Sequence, residues 1–453
     1  MPFIPTTPGQ RDQMLSALGL ASIEALFSDV PEQFRFPRLD LDEGLSEYEV
    51  LKEISAMAEK NLDADSCSWF LGAGAYDHFI PSAVGALSSR GEFLTAYTPY
   101  QSEVSQGTLQ AIFEYQSMVS ALLGTEVVSA GHYDGATALA EAVIMALKNT
   151  GARNGAEGEE ALVLLPAALH PEYRRVLDTY LVSFAVSVET YTGKPAGAAG
   201  RRGKLACLVA AYPDFFGVIP DLSGAADAVH AAGGAFIVHA DPFMLGLIKS
   251  PGEEGADIVT AEGQALGNEL NYGGPFLGIM GANKTYLRKI PGRIAGEAAD
   301  REGRRGFVLT LSAREQHIRR EKAVSNICSN QGLSMLRSCV YLALMGKTGL
   351  REAAELCWHR AHYAAAQLAA RGLTAAAEAG GPDGAFFKEF TVTLPRPAEE
   401  AAAAVLAEKG IVAGLPLSRY YADRENDLLV CVTEKNSKAD IDALVSALGG
   451  LNG

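Results

Sequence analysis

Beyond about residue 105 the apolar positions fall into a repeating order. Helical spacing covers 105–123 and 136–148, and strand-like apolar runs then alternate with helical segments at 161–169, 181–189, 204–211, 235–240, 257–262 and 275–280. Runs such as ALVLLPAAL (161–169) and LACLVAA (205–211) are continuous, not alternating, the pattern of strands buried on both faces of a parallel sheet. Strands separated by helices predict right-handed βαβ connections. The stretch 221–232, closed by Gly233-Gly234, predicts a capped helix that feeds the strand AFIVHAD. After about residue 345 the order becomes helix (350–371), strand (386–394), helix (397–409), strand (428–433), helix (437–449), with a loop at Gly380-Gly381-Pro382-Asp383-Gly384.

The first 60 residues follow another pattern. Thr7-Pro8-Gly9-Gln10 offers an N-cap, a proline at the first helical position and a glutamine at the third. Ser46-Glu47-Tyr48-Glu49 is a second capping box, opening a helix through Lys60. The acidic, proline-punctuated stretch 28–45 between them reads as an arm that straps a neighbouring subunit. The expected organisation is a helical arm over 1–65, a large α/β domain with a mostly parallel sheet over 66–345, and a small C-terminal α+β domain over 346–453.

Composition narrows the partners. Hydrophobic residues make up 48% and charged residues 20%, which excludes a disordered or collagen-like chain. The net charge of −16 repels a phosphate backbone, so nucleic acid is not expected as a partner. The longest apolar runs are near ten residues against about 20 for a membrane span. The N-terminus carries no secretory pattern. Six cysteines stand singly without C-x-x-C, as expected of reduced thiols in a cytoplasmic protein. The eight histidines do not fall at metal-ligand spacing, and no metal is expected.

Four constellations could carry chemistry. Asp241 follows the strand AFIVHA, at the carboxyl end where ligands of open α/β sheets bind. A carboxylate there can hold a pyridine nitrogen protonated, as enzymes using pyridoxal phosphate (PLP) require, or simply cap the next helix. The Schiff-base lysine of such an enzyme would follow one strand later, yet no lysine lies between Lys249 and Lys284. Asp134-Gly135-Ala136-Thr137 opens a helix and could cradle an anion, or could be an ordinary cap. The proline-stiffened segment from Tyr97 to Gly107 contains Tyr97, Tyr100, Gln101 and Glu103, a polar-aromatic composition suited to a binding loop or to a buried inter-subunit loop. Arg314, His317 and Arg320 or Glu321 would share related faces of a helix, preceded by Pro291-Gly292-Arg293. Such a stripe suits a carboxylate or phosphate ligand, or is a solvated face.

Long strings tie these pieces together. YTPYQSEVSQGTLQAIFEYQ (97–116), YDGATALAEAV (133–143), AEGQALG (261–267), NYGGPFLG (271–278) and SAREQHIRREKAVSNICSNQGL (312–333) resemble the N-terminal subunit of the glycine decarboxylase P-protein of the glycine cleavage system. FIPTTPGQRDQML near the start and GLPLSRYY (414–421) extend the resemblance from end to end. It implies a type I PLP-dependent transferase fold and a chain that pairs with a homologous second subunit, the β chain, which carries the Schiff-base lysine and binds PLP covalently. The implied activity is decarboxylation of glycine with transfer of the aminomethyl group to the lipoyl group of the H-protein. The missing lysine then matches the family's first subunit. On this reading the chain supplies no Schiff-base residue. Tyr97, Tyr100, Gln101, Glu103, Arg314 and His317 would reach a shared active site, and Asp134, Thr137 and Asp241 would be remnants of a lost cofactor site. Two other readings stand: a self-sufficient PLP lyase or transferase using Lys249 or Lys284, and a scaffold that stabilises a partner without taking part in turnover.

Overall fold

A computed structural model describes residues 5–149, 161–200, 204–327, 331–376 and 385–452. The expected loop at Gly380–Gly384 and one of the six cysteines, Cys328, lie outside the described residues. The chain forms two compact units, Met1–Leu62 and Asp63–Gly453. In the first, both anticipated capping boxes form: Thr7 opens α1 (Pro8–Ala17) and Ser46 opens α2 (Glu47–Ala58), each with the reciprocal bond from the third helical residue. No residue of either helix is buried, and Leu39, Leu41, Leu51 and Ile54 are exposed.

The second unit is built on a seven-stranded sheet. Its strands are β1 (Val127–Val128), β2 (Ala161–Pro166), β3 (Val186–Tyr191), β4 (Lys204–Tyr212), β5 (Ala235–Ala240), β6 (Ile258–Glu262) and β7 (Gly278–Ala282), in the order β1-β7-β6-β5-β4-β2-β3. Only β7 runs antiparallel to its neighbours. The period of two sorts the side chains cleanly. Leu208, Ala210, Phe236 and Val238 pack on one face with α3 (Gln106–Leu123) and the first half of α7 (Gly332–Ala370). Cys207, Val209, Ile237 and Ile258 pack on the other with α4 (Gly135–Asn149) and α5 (Pro171–Leu181). Both faces are covered, which is why these strands read as unbroken apolar runs.

The 221–232 helix is shorter than expected: α6 (Ala225–Ala231) begins after Gly224 with no side-chain cap. The turn at Asp221 to Gly224 precedes it, and Asp221 bonds the Ser223 N–H and Lys194 instead. Between β7 and α7 lies an unanticipated hairpin, β8 (Ile294–Ala299) with β9 (Arg305–Thr310). Two glutamines of α3 seal its edges. Gln106 bonds both N–H and C=O of Phe307, and Gln116 does the same for Ala295. α7 breaks at Gly346 (φ 57°, ψ −174°), a conformation glycine adopts without a Cβ clash. The C-terminal layer is an antiparallel sheet of β10 (Thr374–Ala376), β11 (Glu389–Thr393), β12 (Leu415–Pro416) and β13 (Asp427–Cys431), ordered β10-β11-β13-β12 and backed by α8 (Ala398–Lys409) and α9 (Lys438–Gly449). Among the described residues no helix is long and apolar enough to cross a membrane.

Candidate functional site

Asp241 leaves the carboxyl end of β5 fully buried and does two things at once. Its Oδ1 accepts from the Phe243 and Met244 N–H groups (2.8 and 3.3 Å), capping the turn at Met244–Gly246. Its Oδ2 lies 2.7 Å from Nζ of Lys388, one residue before β11, and both side chains are at most 5% exposed. The ammonium also donates to Nε2 of His78 (3.0 Å) and sits 3.4 Å from the Tyr76 ring centroid. With Nε2 accepting, His78 carries its proton on Nδ1 and donates it to Glu434 Oε2 (2.7 Å). Burial and then the Lys388 charge push the His78 pKa down, as befits a neutral ring. Burial alone would raise the Asp241 carboxyl and lower the Lys388 ammonium, but each charge overrides that for the other: Asp241 is held below the usual carboxylate range and Lys388 above the usual lysine range. Beside them Glu389 accepts from Ala73 N–H (2.6 Å) and Tyr76 O–H (2.7 Å), and burial raises its pKa.

The N-terminus of α4 is likewise supplied from within. Asp134 caps it, with Oδ1 accepting from the Thr137 N–H and hydroxyl (both 2.8 Å). Glu262, the last residue of β6, accepts from the N–H groups of Gly135 (2.8 Å), Gln264 (2.9 Å) and Leu277 (3.2 Å). This close approach needs the glycine, since a Cβ on Gly135 would lie 2.7 Å from the Tyr173 hydroxyl and 3.0 Å from Glu262 Cβ. Burial pushes the Glu262 carboxyl up to about 8, against the three N–H donors that favour the anion. The unfolded reference is 4.5, so the folded chain holds the extra proton and its stability falls as pH rises between those values. Thermal unfolding followed from pH 5 to 9 will show that fall, and Glu262→Gln will flatten it.

These residues do not fit pyridoxal phosphate. Asp241 is paired with a lysine, the helix N–H that would meet a phosphate is taken by Glu262, and the cavity left among Tyr76, His170, Tyr173, His239, Asp241 and Glu262 is only about 70 Å³, far below a pocket of a few hundred Å³. Lys249 pairs at the surface with Glu254, and Lys284 opens an exposed turn. The lysine that meets Asp241 therefore comes from the C-terminal sheet. Its sequence signal is a Lys-Glu pair inside an aromatic strand run, FFKEF (386–390), where two charges are out of place unless each has a buried partner.

A second cluster gathers the polar-aromatic segment. Tyr97 and Tyr100 are 73% and 52% exposed, and Gln101 and Glu103 lie exposed at a short 3₁₀ turn. The Tyr100 hydroxyl accepts from Nη2 of the buried Arg293 (2.8 Å), and its ring meets His317 edge-on with centroids 5.4 Å apart. The helix expected over 314–322 does not form as one element. It is a 3₁₀ turn (Ser312–Arg314), a single α-turn (Gln316–Arg319) and another 3₁₀ turn (Arg320–Lys322), broken by extended backbone at Glu315 and positive φ at Arg320. Nor is Arg314 on a solvated stripe. It is buried and donates to the carbonyls of Ile290 and Gly292, the latter at 2.6 Å, so it holds the Pro291-Gly292-Arg293 turn from beneath. Arg293 is the buried arginine that touches the tyrosine segment, with Glu315 Oε2 3.7 Å from its Nε. Charge-run reasoning misses this inversion because it cannot see which arginine the turn conceals.

Comparison with known proteins agrees with this architecture. Residues 1–448 match the family model "Glycine cleavage system P-protein". The chain is 46% identical over 455 residues to "Probable glycine dehydrogenase (decarboxylating) subunit 1" of Thermomicrobium roseum, covering 99% of both, and 47% identical over 462 residues to the protein so named in Chlorobium limicola, covering all of both. The name implies a second subunit in those enzymes. Among solved structures it superposes with TM-score 0.86 and 42% identity on a glycine decarboxylase (P-protein) of the glycine cleavage system in inhibitor-bound form, covering all of both chains. A sphingosine-1-phosphate lyase of Burkholderia pseudomallei shares the fold at TM-score 0.63 and 15% identity, over 93% of this chain and 94% of that one. The α/β architecture with its mostly parallel seven-stranded sheet is the type I fold of PLP-dependent transferases. The chain belongs to the glycine cleavage system P-protein family.

Proposed function

We propose that the chain is the subunit of a glycine decarboxylase that carries no Schiff-base lysine, completing an active site whose cofactor is bound covalently by a second subunit that does. The observation that carries this reading is Lys388 on Asp241: the carboxylate expected to meet a cofactor's ring nitrogen is paired instead with the chain's own lysine. PLP on the second subunit supplies the electron sink that decarboxylation of glycine needs. This chain's part is to shape and close the site. Tyr97, Tyr100, Gln101 and Glu103 form an exposed face suited to orienting glycine's carboxylate and the lipoyl group of the H-protein and to excluding water. His317 supports Tyr100 by ring contact, and Arg314 supports it through the turn that bears Arg293. Asp134, Thr137 and Asp241 are remnants of a cofactor site duplicated and lost.

The exposed apolar residues of the first unit suit a strap across the second subunit. The break at Gly346 suits a boundary between a large domain over 66–345 and a small one over 346–453. Singly placed free thiols, Cys67, Cys207, Cys339, Cys357 and Cys431 among the described residues, suit the cytoplasm.

Borohydride reduction with PLP, followed by mass-spectrometric mapping, tests the reading. The expected result is a pyridoxyl adduct on the second subunit and none on this chain. A stoichiometric adduct at Lys249, Lys284 or Lys388 of this chain alone would sink it in favour of a self-sufficient enzyme.

A further inference from the structure

Among the described residues, three side chains able to ligate a metal converge in the interior: His78, Cys357 and Glu434. They come from distant parts of the chain, so no spacing in the sequence announces them. His78 lies in an irregular segment, Cys357 is in the second half of α7, and Glu434 stands three residues beyond β13. Glu434 Oε2 accepts from both of the others, from His78 Nδ1–H at 2.7 Å and from the Cys357 thiol at 3.2 Å. The three ligand atoms all lie within 4.8 Å of one another. Cys357 is fully buried and His78 is 5% exposed. The surroundings fix each group from outside, as the outer partners of a metal site do. Phe79 N–H donates to the other oxygen of Glu434 (2.6 Å), and Arg360 donates to the carbonyls of Glu434 and Asn436. Phe243 stacks on the His78 ring with centroids 3.8 Å apart, and Lys388 donates to its Nε2. None of the three lines the cavity beside Asp241.

We propose that this cluster is a zinc site, with His78 Nδ1, Cys357 Sγ and Glu434 Oε2 as protein ligands and a water in the fourth position. Imidazole, thiolate and carboxylate are donors that zinc takes in tetrahedral sites. Zinc bonds of about 2.0–2.3 Å in a tetrahedron set the ligand atoms about 3.3–3.8 Å apart. The hydrogen-bonded separations of 2.7 and 3.2 Å reach that range when Oε2 retreats by about half an ångström. The two protons now donated to Oε2 stand where the metal would, and binding releases two. One leaves Cys357. The other leaves the pair of His78 and Lys388, which becomes neutral and keeps a proton between Nε2 and Nζ. Before binding, Asp241 and Glu434 are anionic and Lys388 is cationic, a sum of −1. Afterwards the divalent ion offsets Glu434 and the Cys357 thiolate, the His78–Lys388 pair is neutral and Asp241 leaves the same −1. The exchange therefore adds no net charge to the interior. The ion ties α7 to the turn after β13 and so to the C-terminal sheet.

Cobalt(II) titration of the full chain, stripped of metal by a chelator, tests the site. Cobalt is added both to the folded chain and during refolding from urea, so that slow entry to a buried site does not pass for lack of binding. The expected result is one cobalt per chain, with a thiolate-to-cobalt charge-transfer band in the near ultraviolet that zinc abolishes by displacement. Cys357→Ser is expected to remove the band and to weaken zinc by more than about 100-fold, beyond the 10–100-fold that loss of an outer partner costs. Glu434→Gln keeps the shape of the side chain and the thiolate. It is expected to retain the band at saturating cobalt while weakening binding at least about tenfold, and it stands as the test if the cysteine variant does not fold. Zinc is expected to raise the thermal midpoint of the wild type and to leave that of Cys357→Ser unmoved. No stoichiometric cobalt on the wild type overturns the proposal. So does a band that survives in Cys357→Ser, which would belong to another thiol such as the half-buried Cys67. Cobalt affinity unchanged in Glu434→Gln overturns it as well.

Discussion

Lys388→Met will destabilise the second unit by about 3–5 kcal/mol, the range expected when one partner of a buried ion pair is removed and the other stays behind. No discount for solvent applies, because the two side chains are 2% and 5% exposed. The loss has three parts: the charge on Asp241 Oδ2, the donor to His78 Nε2, and the cation over the Tyr76 ring. Asp241 also caps a turn through Oδ1, so it cannot swing away to find water. The pair joins the end of β5 to the start of β11, and its loss loosens the packing of the two sheets. Urea unfolding of the purified chain measures the effect through the midpoint and slope.

The sign with pH follows from the pair. In the wild type, Asp241 is held below its ordinary value of 3.8, so its contribution is present above that pH and lost as pH falls through the folded value. In the variant, burial without the lysine raises the same carboxyl. The gap between the two proteins will therefore be widest near neutrality and will close toward pH 4. Lys388→Met combined with Asp241→Asn will recover most of the loss, because a neutral amide replaces the stranded charge. A Lys388→Met chain as stable as the wild type would show that the pair does not hold the sheets together.

What could be read in advance divides along physical lines. The parallel strands and their helices were legible because β2, β4, β5 and β6 are buried on both faces, and unbroken apolar runs are a local signal. The capping boxes at Thr7 and Ser46 were legible for the same reason, since cap and third residue sit three apart in the chain. The hairpin β8–β9 was not: its strands carry glycines and charges, and its edges are sealed by Gln106 and Gln116, far away in sequence. Asp241 was placed at its strand end, but its partner lies 147 positions on, and no spacing rule connects Asp241 to Lys388. The arginines were inverted because burial is a tertiary fact. Arg314 reads as part of a charge run, and only the fold sends its guanidinium inward to two carbonyls while Arg293 meets Tyr100.

That inversion carries the second large effect. Arg314→Ala in the assembled enzyme will lower glycine decarboxylation by about 10²-fold, the scale on which a displacement of about 1 Å at a positioning group acts. Arg314 works at a distance: it fixes the carbonyls of Ile290 and Gly292, that turn carries Arg293, and Arg293 fixes the Tyr100 hydroxyl. A residue that acts through a turn should be replaceable by anything that holds the turn. Arg314→Lys, able to donate to one carbonyl though not in the same fork, will restore part of the rate. Tyr100→Phe, which keeps the ring against His317 and removes only the hydroxyl, will lower the rate by a smaller factor without changing the unfolding midpoint. Arg314→Ala will shift both, because it also strands two carbonyls and a buried cavity. The split between kcat and KM separates the roles. If Tyr100 orients bound glycine for loss of its carboxylate, the hydroxyl variant loses kcat with KM nearly unchanged, whereas a purely structural role would leave the rate per assembled complex untouched. Equal turnover by the wild type, Tyr100→Phe and Arg314→Ala complexes would take this whole face out of the reaction and leave the chain a scaffold.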